Sequence, residues 1–203
     1  MDIINLYLNN ITEGILMINH KGTQKIKTER LILRKFKITD AEFMFNNWAS
    51  DPEVTKYLSW PSHKELSTTR KIINIYLDEY KSSEVYNWAI VPKKYGEVIG
   101  SITVVEMSNE KEQCEIGYCI SKSYWNQGIT TEALKAVISY LINEIGFKRV
   151  QAKHNSDNPA SGKVMHKAGM EYEGRLRKYD KNNLGELVDC DMYSILKEDL
   201  GKN

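Results

Sequence analysis

Two spacings of apolar residues divide the chain. Alternation marks strands, and recurrence at three and four residues marks helices. From Thr28 to Phe36, Leu31 and Leu33 stand between charged residues and predict a first strand. Thr39-Asp40-Ala41-Glu42 opens a helix that runs through Trp48 and stops at Asp51-Pro52. A second helix over about residues 64–80 sets Ile72, Ile73, Tyr76 and Leu77 on one face, after an aromatic-rich loop from Tyr57 to His63. Residues 85–91 and 97–107 read as strands joined at Lys94-Tyr95-Gly96, and Gly100 predicts a bulge or a close backbone approach. A turn at Asn109-Glu110-Lys111 leads into a strand ending at Ile120.

Beyond that strand comes the clearest helical period. Ala133, Leu134, Val137, Ile138, Leu141 and Ile142 predict a helix from the loop around Gly128 to Gly146, capped by Thr130 or Thr131. A strand over 149–154 follows. Asn158 then caps a helix with Pro159 in its first turn and Gly169 at its stop. Strands over 171–179 and 186–196 flank the polar turn Asp180-Lys181-Asn182-Asn183. The expectation is one α/β (α+β) domain over residues 26–203: a central, twisted, mostly antiparallel sheet of about seven strands with about four helices. Residues 1–25 mix both periods and form an N-terminal extension. It is expected to pack on the domain, to join a dimer contact or to be partly mobile.

Composition narrows the class. Forty-one per cent apolar residues in 203 supports a substantial core, and 28 basic against 27 acidic residues leave no overall field for nucleic acid or an anionic membrane. Cys114, Cys119 and Cys190 lack CxxC or Cys/His ligand spacing, which indicates free thiols and no metal site. No apolar run has membrane-span length and no basic leader opens the chain, so a cytoplasmic monomer or homodimer is expected.

Candidate chemistry gathers after residue 114. Glu115-Ile116-Gly117-Tyr118-Cys119-Ile120 is followed by Tyr124-Trp125-Asn126-Gln127-Gly128-Ile129-Thr130-Thr131-Glu132-Ala133-Leu134, then Asn158-Pro159-Ala160-Ser161, then Lys167-Ala168-Gly169-Met170. A glycine loop running into a helix presents unpaired N–H groups at the positive end of a macrodipole, which suits a pyrophosphate. In order and spacing the four motifs resemble the GNAT superfamily of acyl-CoA-dependent N-acetyltransferases. Within it they resemble the branch that acetylates the N-terminal alanine of ribosomal proteins. The likeness extends from about Thr28 to Leu200, and two positions depart from it: Asn126 stands for a usual glycine and Thr130 for a small residue.

The resemblance implies a direct transfer of acetyl from acetyl-CoA to a primary amine, without metal. Asn126, Gln127, Gly128, Ile129, Thr130 and Thr131 would hold the pyrophosphate. The backbone of Tyr118, Cys119 and Ile120, on a strand splayed from its neighbour, would bind the pantetheine arm and polarise the thioester, and Asn158 would bond the pantetheine amide. Many members use a tyrosine to protonate the leaving thiolate. That position is Met165 here, so Ser161 becomes the candidate acid, its alternative being a first-turn hydroxyl bonded to backbone. Lys163 or Lys167 would reach the adenosine phosphates. Cys119 reads as a packing residue rather than a nucleophile, because no base stands near it in sequence.

Asp180 and Glu115 are the candidate bases, each alternatively a solvated or ion-paired carboxylate, with His154 behind them. Tyr57 and Trp60 would line the acceptor wall. An α-amine of pKa ~7.8 is roughly one-seventh neutral at pH 7, so deprotonating it costs about 1 kcal/mol against about 4.6 kcal/mol for lysine. A weak base therefore suffices for a protein N-terminus, the expected acceptor. A small-molecule amine (polyamine, amino-acid derivative or aminoglycoside) is the alternative within the same chemistry. A non-catalytic acyl-CoA-binding domain and a purely structural module lie outside it.

Overall fold

The structure, a computed structural model, describes residues 18–201. Among them, eight strands make one sheet in the order β1-β2-β3-β4-β5-β6-β8-β7. They are β1 (Ile26–Lys27), β2 (Leu31–Arg34), β3 (Asn87–Pro92), β4 (Gly100–Ser108), β5 (Gln113–Ile120), β6 (Arg149–Asn155), β7 (Glu171–Lys181) and β8 (Leu187–Leu196). Every neighbouring pair is antiparallel except β5 and β6. The eighth strand arises because the first predicted strand begins with a turn. Thr28 N donates to Leu31 O at 3.1 Å and Leu31 N to Thr28 Oγ1 at 3.0 Å, folding β1 back onto β2.

Among the described residues, five α-helices cover the two faces. α1 (Ala41–Met44, continued by a π turn, Phe45–Ala49), α2 (Pro52–Thr55) and α3 (Leu66–Glu79) lie on one; α4 (Ile129–Tyr140, with a π turn at Leu141–Ile145) and α5 (Pro159–Lys167) lie on the other. Asp51 ends α1, as the sequence predicts, and caps α2 through a bond from Glu53 N. Alternation along the strands feeds two cores. Leu31, Leu33, Trp88, Ile90, Ile116 and Val150 pack under α4 and α5, while Ala89, Val91 and Val98 pack under α1 and α3 with Phe36, Trp48 and Ile73. β3 is buried along its whole length because it serves both cores.

Residues 18–25, the end of the predicted extension, lie along this sheet. Asn87 N donates to Thr23 Oγ1, Thr23 Oγ1 to Val85 O and Trp88 Nε1 to Gln24 O, all within 2.9 Å. Residues 1–17 of that extension lie outside the described residues. No described helix is long and apolar enough to cross a membrane.

Candidate active site

One break in the sheet organises the site. β5 and β6 pair only from Gln113↔Arg149 to Glu115↔Gln151, after which β5 stays with β4 and β6 stays with β8. The two strands therefore diverge, and the edge of β5 from Ile116 to Ile120 loses its ladder partner on that side. Tyr118, Cys119 and Ile120 stand on this open edge. Gly100 meets the same stretch across β4, where a Cβ would come within 2.4 Å of Cys119 O; the close approach expected at Gly100 is present, while the bulge falls between Val104 and Glu106.

The loop after β5 closes one end of the gap. Gly128 is left-handed (φ +72°) and is itself the N-cap of α4, whose first internal bond runs from Glu132 N to Gly128 O at 3.0 Å. Thr130 and Thr131 therefore sit inside the first turn and make no capping bond, which corrects the expectation that either would cap the helix. The N-cap position, from which a side chain bonds the N–H of the second or third helical residue, is filled by a glycine that has no side chain. The N–H groups of Ile129, Thr130 and Thr131 precede that first bond, so they face the loop mouth. Asn126 is also left-handed (φ +58°), a conformation that asparagine tolerates better than other side chains, which explains both the usual glycine and its substitute.

Arg30, absent from the sequence reading, braces this loop. Its Nη1 donates to Gln127 O at 2.9 Å and its Nε to Glu132 at 2.5 Å; Thr28 Oγ1 also donates to Glu132. Burial pushes the Glu132 carboxyl up, but the bonds from Thr28 and Arg30 outweigh it and hold the group below its ordinary range. The one acid in the first turn is thus turned away from the loop mouth. Arg30 lies 97 residues before Gln127, and only the fold joins them.

The opposite wall is α5. Asn158 occupies its N-cap position as predicted, but its side chain makes no capping bond. Ser161, one turn in, meets Tyr118 across the gap: the phenol oxygen lies 2.9 Å from Ser161 Oγ and 3.0 Å from Ser161 O. Burial raises the pKa of Tyr118 and keeps it a neutral donor. The seat of α5 depends on Gly162, where a Cβ would fall 2.6 Å from His154 Nε2 and 3.1 Å from Tyr193 Oη. His154 is thus roofed by the helix, its Nδ1 bonded to Asn155 O at 2.7 Å, and it is not brought to the candidate carboxylates. Met165 is buried in the core. Lys163 and Lys167 line an open cavity of about 470 Å³ with His154, Arg175 and Asp191; helical spacing puts Lys163 about half a turn from Ser161.

Glu115 and Asp180 do come together, through a residue that periodicity could not single out. Lys153, on β6 just past the last β5·β6 pair, forms ion pairs with buried Glu115 and, at 3.4 Å, with half-exposed Asp180. Gln151 Nε2 donates to the other Glu115 oxygen at 3.0 Å, and the Tyr179 ring lies 5.4 Å from the Lys153 ammonium. Desolvation alone would lower the Lys153 pKa, but Glu115 and Asp180 together raise it. Asp180 reaches this position through an irregularity in β7: between Leu176↔Cys190 and Asp180↔Val188 the strand carries extra residues, with Lys178 left-handed and its N–H on Asp189. Beyond Asp180 the β7–β8 turn crosses to α2, where Asn183 Nδ2 donates to Thr55 O at 3.1 Å.

Trp60 packs on the second core beside His63, and Tyr57 lies under Lys56; both are partly buried on the α2–α3 side. Cys119 packs against the same core with its thiol 3.3 Å from Ser101 Oγ, and burial raises its pKa, which is unsuited to a nucleophile. The three cysteines are free. Among the described residues no group of three or more His, Cys, Asp or Glu side chains is placed to hold a metal ion.

Comparison with known proteins bears on the family and the fold. Residues 30–171 match the acetyltransferase (GNAT) domain family. An uncharacterized N-acetyltransferase, p20, of Bacillus licheniformis is 33% identical over 87% of this chain and 98% of its own length. The ribosomal-protein-serine acetyltransferase of Escherichia coli is 29% identical over 63% of this chain and 74% of its own. Among solved structures, a GNAT-family acetyltransferase from Bacillus anthracis superposes with a TM-score of 0.75 at 30% identity, covering 86% of this chain and 99% of that one.

Proposed function

The chain belongs to the GNAT acetyltransferase family, and we propose that it transfers acetyl from acetyl-CoA to the α-amine at the N-terminus of a polypeptide. The observation that carries the choice of acceptor is the sharing of Lys153 between Glu115 and Asp180. Two carboxylates and one ammonium leave a single net negative charge, the complement of one protonated amine. A polyamine or an aminoglycoside brings several positive charges, more than the single net negative charge of this trio offsets.

The residues present fit the donor. The first-turn N–H groups of α4 and the left-handed Asn126 and Gly128 suit a pyrophosphate, and Arg30 steadies the loop from behind. The open edge of β5 offers backbone groups to an extended amide arm, with the uncapped Asn158 side chain opposite. Bound acetyl-CoA supplies a thioester carbonyl and a thiol leaving group. Backbone donors on β5 stabilise charge developing at the carbonyl oxygen, and Ser161 donates to the sulfur. Asp180, half-exposed, takes the amine's proton through water; the low pKa of an α-amine makes this weak base sufficient. Glu115, saturated by Lys153 and Gln151, holds the ammonium in place.

The test presents purified protein and acetyl-CoA with lysine-free peptides bearing a free α-amine, alongside spermidine and an aminoglycoside, and reads products by intact mass. A single acetyl group on the peptide α-amine, with kcat/KM well above that for either polycation, is the expected result. Preference for a polycation would overturn the acceptor assignment. Tight CoA binding with no turnover of any amine would favour a binding domain without catalysis.

A further inference from the structure

Ser161 is an unpromising acid on its own. An aliphatic hydroxyl gives up its proton far less readily than a thiol, so handing a proton outright to a thiolate runs uphill. What a serine can do is donate a hydrogen bond to the sulfur, and the worth of that bond depends on how the hydroxyl is oriented and polarised. The tyrosine 43 residues earlier settles both. Tyr118 Oη lies 2.9 Å from Ser161 Oγ and 3.0 Å from Ser161 O.

One phenolic proton can serve only one of these acceptors at a time. When Tyr118 donates to the carbonyl, Ser161 donates back to the phenol and its proton is turned away from the gap. When Tyr118 donates to Ser161 Oγ, the serine proton is released toward the gap and its oxygen is polarised by the bond it accepts. Hydrogen bonds in such a chain strengthen one another, more so where water is scarce. The carbonyl is a permanent alternative acceptor, so the phenol never lacks a partner in either arrangement.

We infer that Tyr118 is a positioning residue which, by moving its hydrogen bond from Ser161 O to Ser161 Oγ, turns the serine hydroxyl into an aimed, strengthened donor for the cofactor sulfur. The inference rests on the acetyl-CoA reading above but not on the identity of the amine. No covalent change falls on either hydroxyl. The electron pair of the breaking C–S bond goes to sulfur, the proton given up by the amine leaves by Asp180 and water, and the thiolate takes its proton from solvent.

The closing experiment reads the thiol directly and needs no acceptor. CoA is bound to wild type, Tyr118→Phe, Ser161→Ala and the double variant. The pKa of the bound thiol is followed by thiolate ultraviolet absorbance, with calorimetric CoA affinity and melting temperature measured on each. A donor aimed at sulfur stabilises the thiolate, so Tyr118→Phe should raise the bound-thiol pKa while CoA affinity changes less than about twofold. It should also lower kcat by roughly five- to tenfold, the scale of one hydrogen bond. Added to Ser161→Ala, it should do neither.

A bound-thiol pKa unmoved by Tyr118→Phe, or moved equally in both backgrounds, would overturn the inference and leave Tyr118 a tie between β5 and α5. Failure of wild type to bind CoA would overturn the functional reading, and this one with it.

Discussion

Asn126 shows what a single backbone angle decides. At φ +58° a side chain with a Cβ is strained, and asparagine is the natural exception. Asn126→Ala should therefore cost about 1 kcal/mol in thermal denaturation, with Asn126→Gly close to neutral. A neutral alanine would mean the loop relaxes out of the left-handed region. Gly128 is held harder: it too is left-handed, and Arg30 Nη2 stands 3.5 Å from where a Cβ would go. Gly128→Val should remove most of the roughly 2.7 kcal/mol that acetyl-CoA at a hundred times its Kd adds to stability, as read from ligand-dependent melting. The glycine and the departure at Asn126 were both visible in the sequence, but the sign of the departure lay in φ. Arg30 and Gly162 were not visible, because each acts on residues that only tertiary packing brings near.

At the scale of elements, the strong periods were readable and the joints were not. α4 and α5 stand where Ala133, Leu134, Val137, Asn158 and Pro159 predict them, because amphipathic spacing, a cap position and an N1 proline agree. Hydroxyl caps at Thr130 and Thr131 failed because the N-cap position is filled by a glycine that has no side chain. The irregularity in β7 that delivers Asp180 leaves no apolar signature, and so the Glu115–Lys153–Asp180 cluster could not be foreseen from either carboxylate. Lys153→Met should destabilise the protein by about 3–5 kcal/mol in chemical denaturation, because Glu115 is left buried and unpaired. Glu115→Gln in the same chain should restore most of that loss; no rescue would mean that Lys153 stabilises by packing alone.

A second tie between elements predicts acid sensitivity. Hydrogen bonds from Arg149 hold Glu173 down to about 2, with Ser194 assisting against burial. A carboxyl lowered from 4.5 contributes stability that is complete above 4.5 and lost as pH falls toward 2. Arg149→Met should therefore flatten the fall in melting temperature between those pH values.

For the molecule as a whole, the break between β5 and β6 sets the α4 loop and Ser161 on one side of the sheet and Lys153 with Asp180 on the other, so the proposed reaction would draw its two substrates from opposite faces. A polypeptide acceptor, as proposed above, would meet the contact from Asn183 to Thr55, which joins the β7–β8 turn to α2 beside Asp180. With that contact closed, the proposed acceptor would enter end first beneath the joined turn, and a bulky folded neighbour would stall at the entrance. Reactivity should therefore follow the length of loose chain ahead of a partner's first folded element, so that nascent or frayed ends are modified while a terminus tucked into its own fold is passed over.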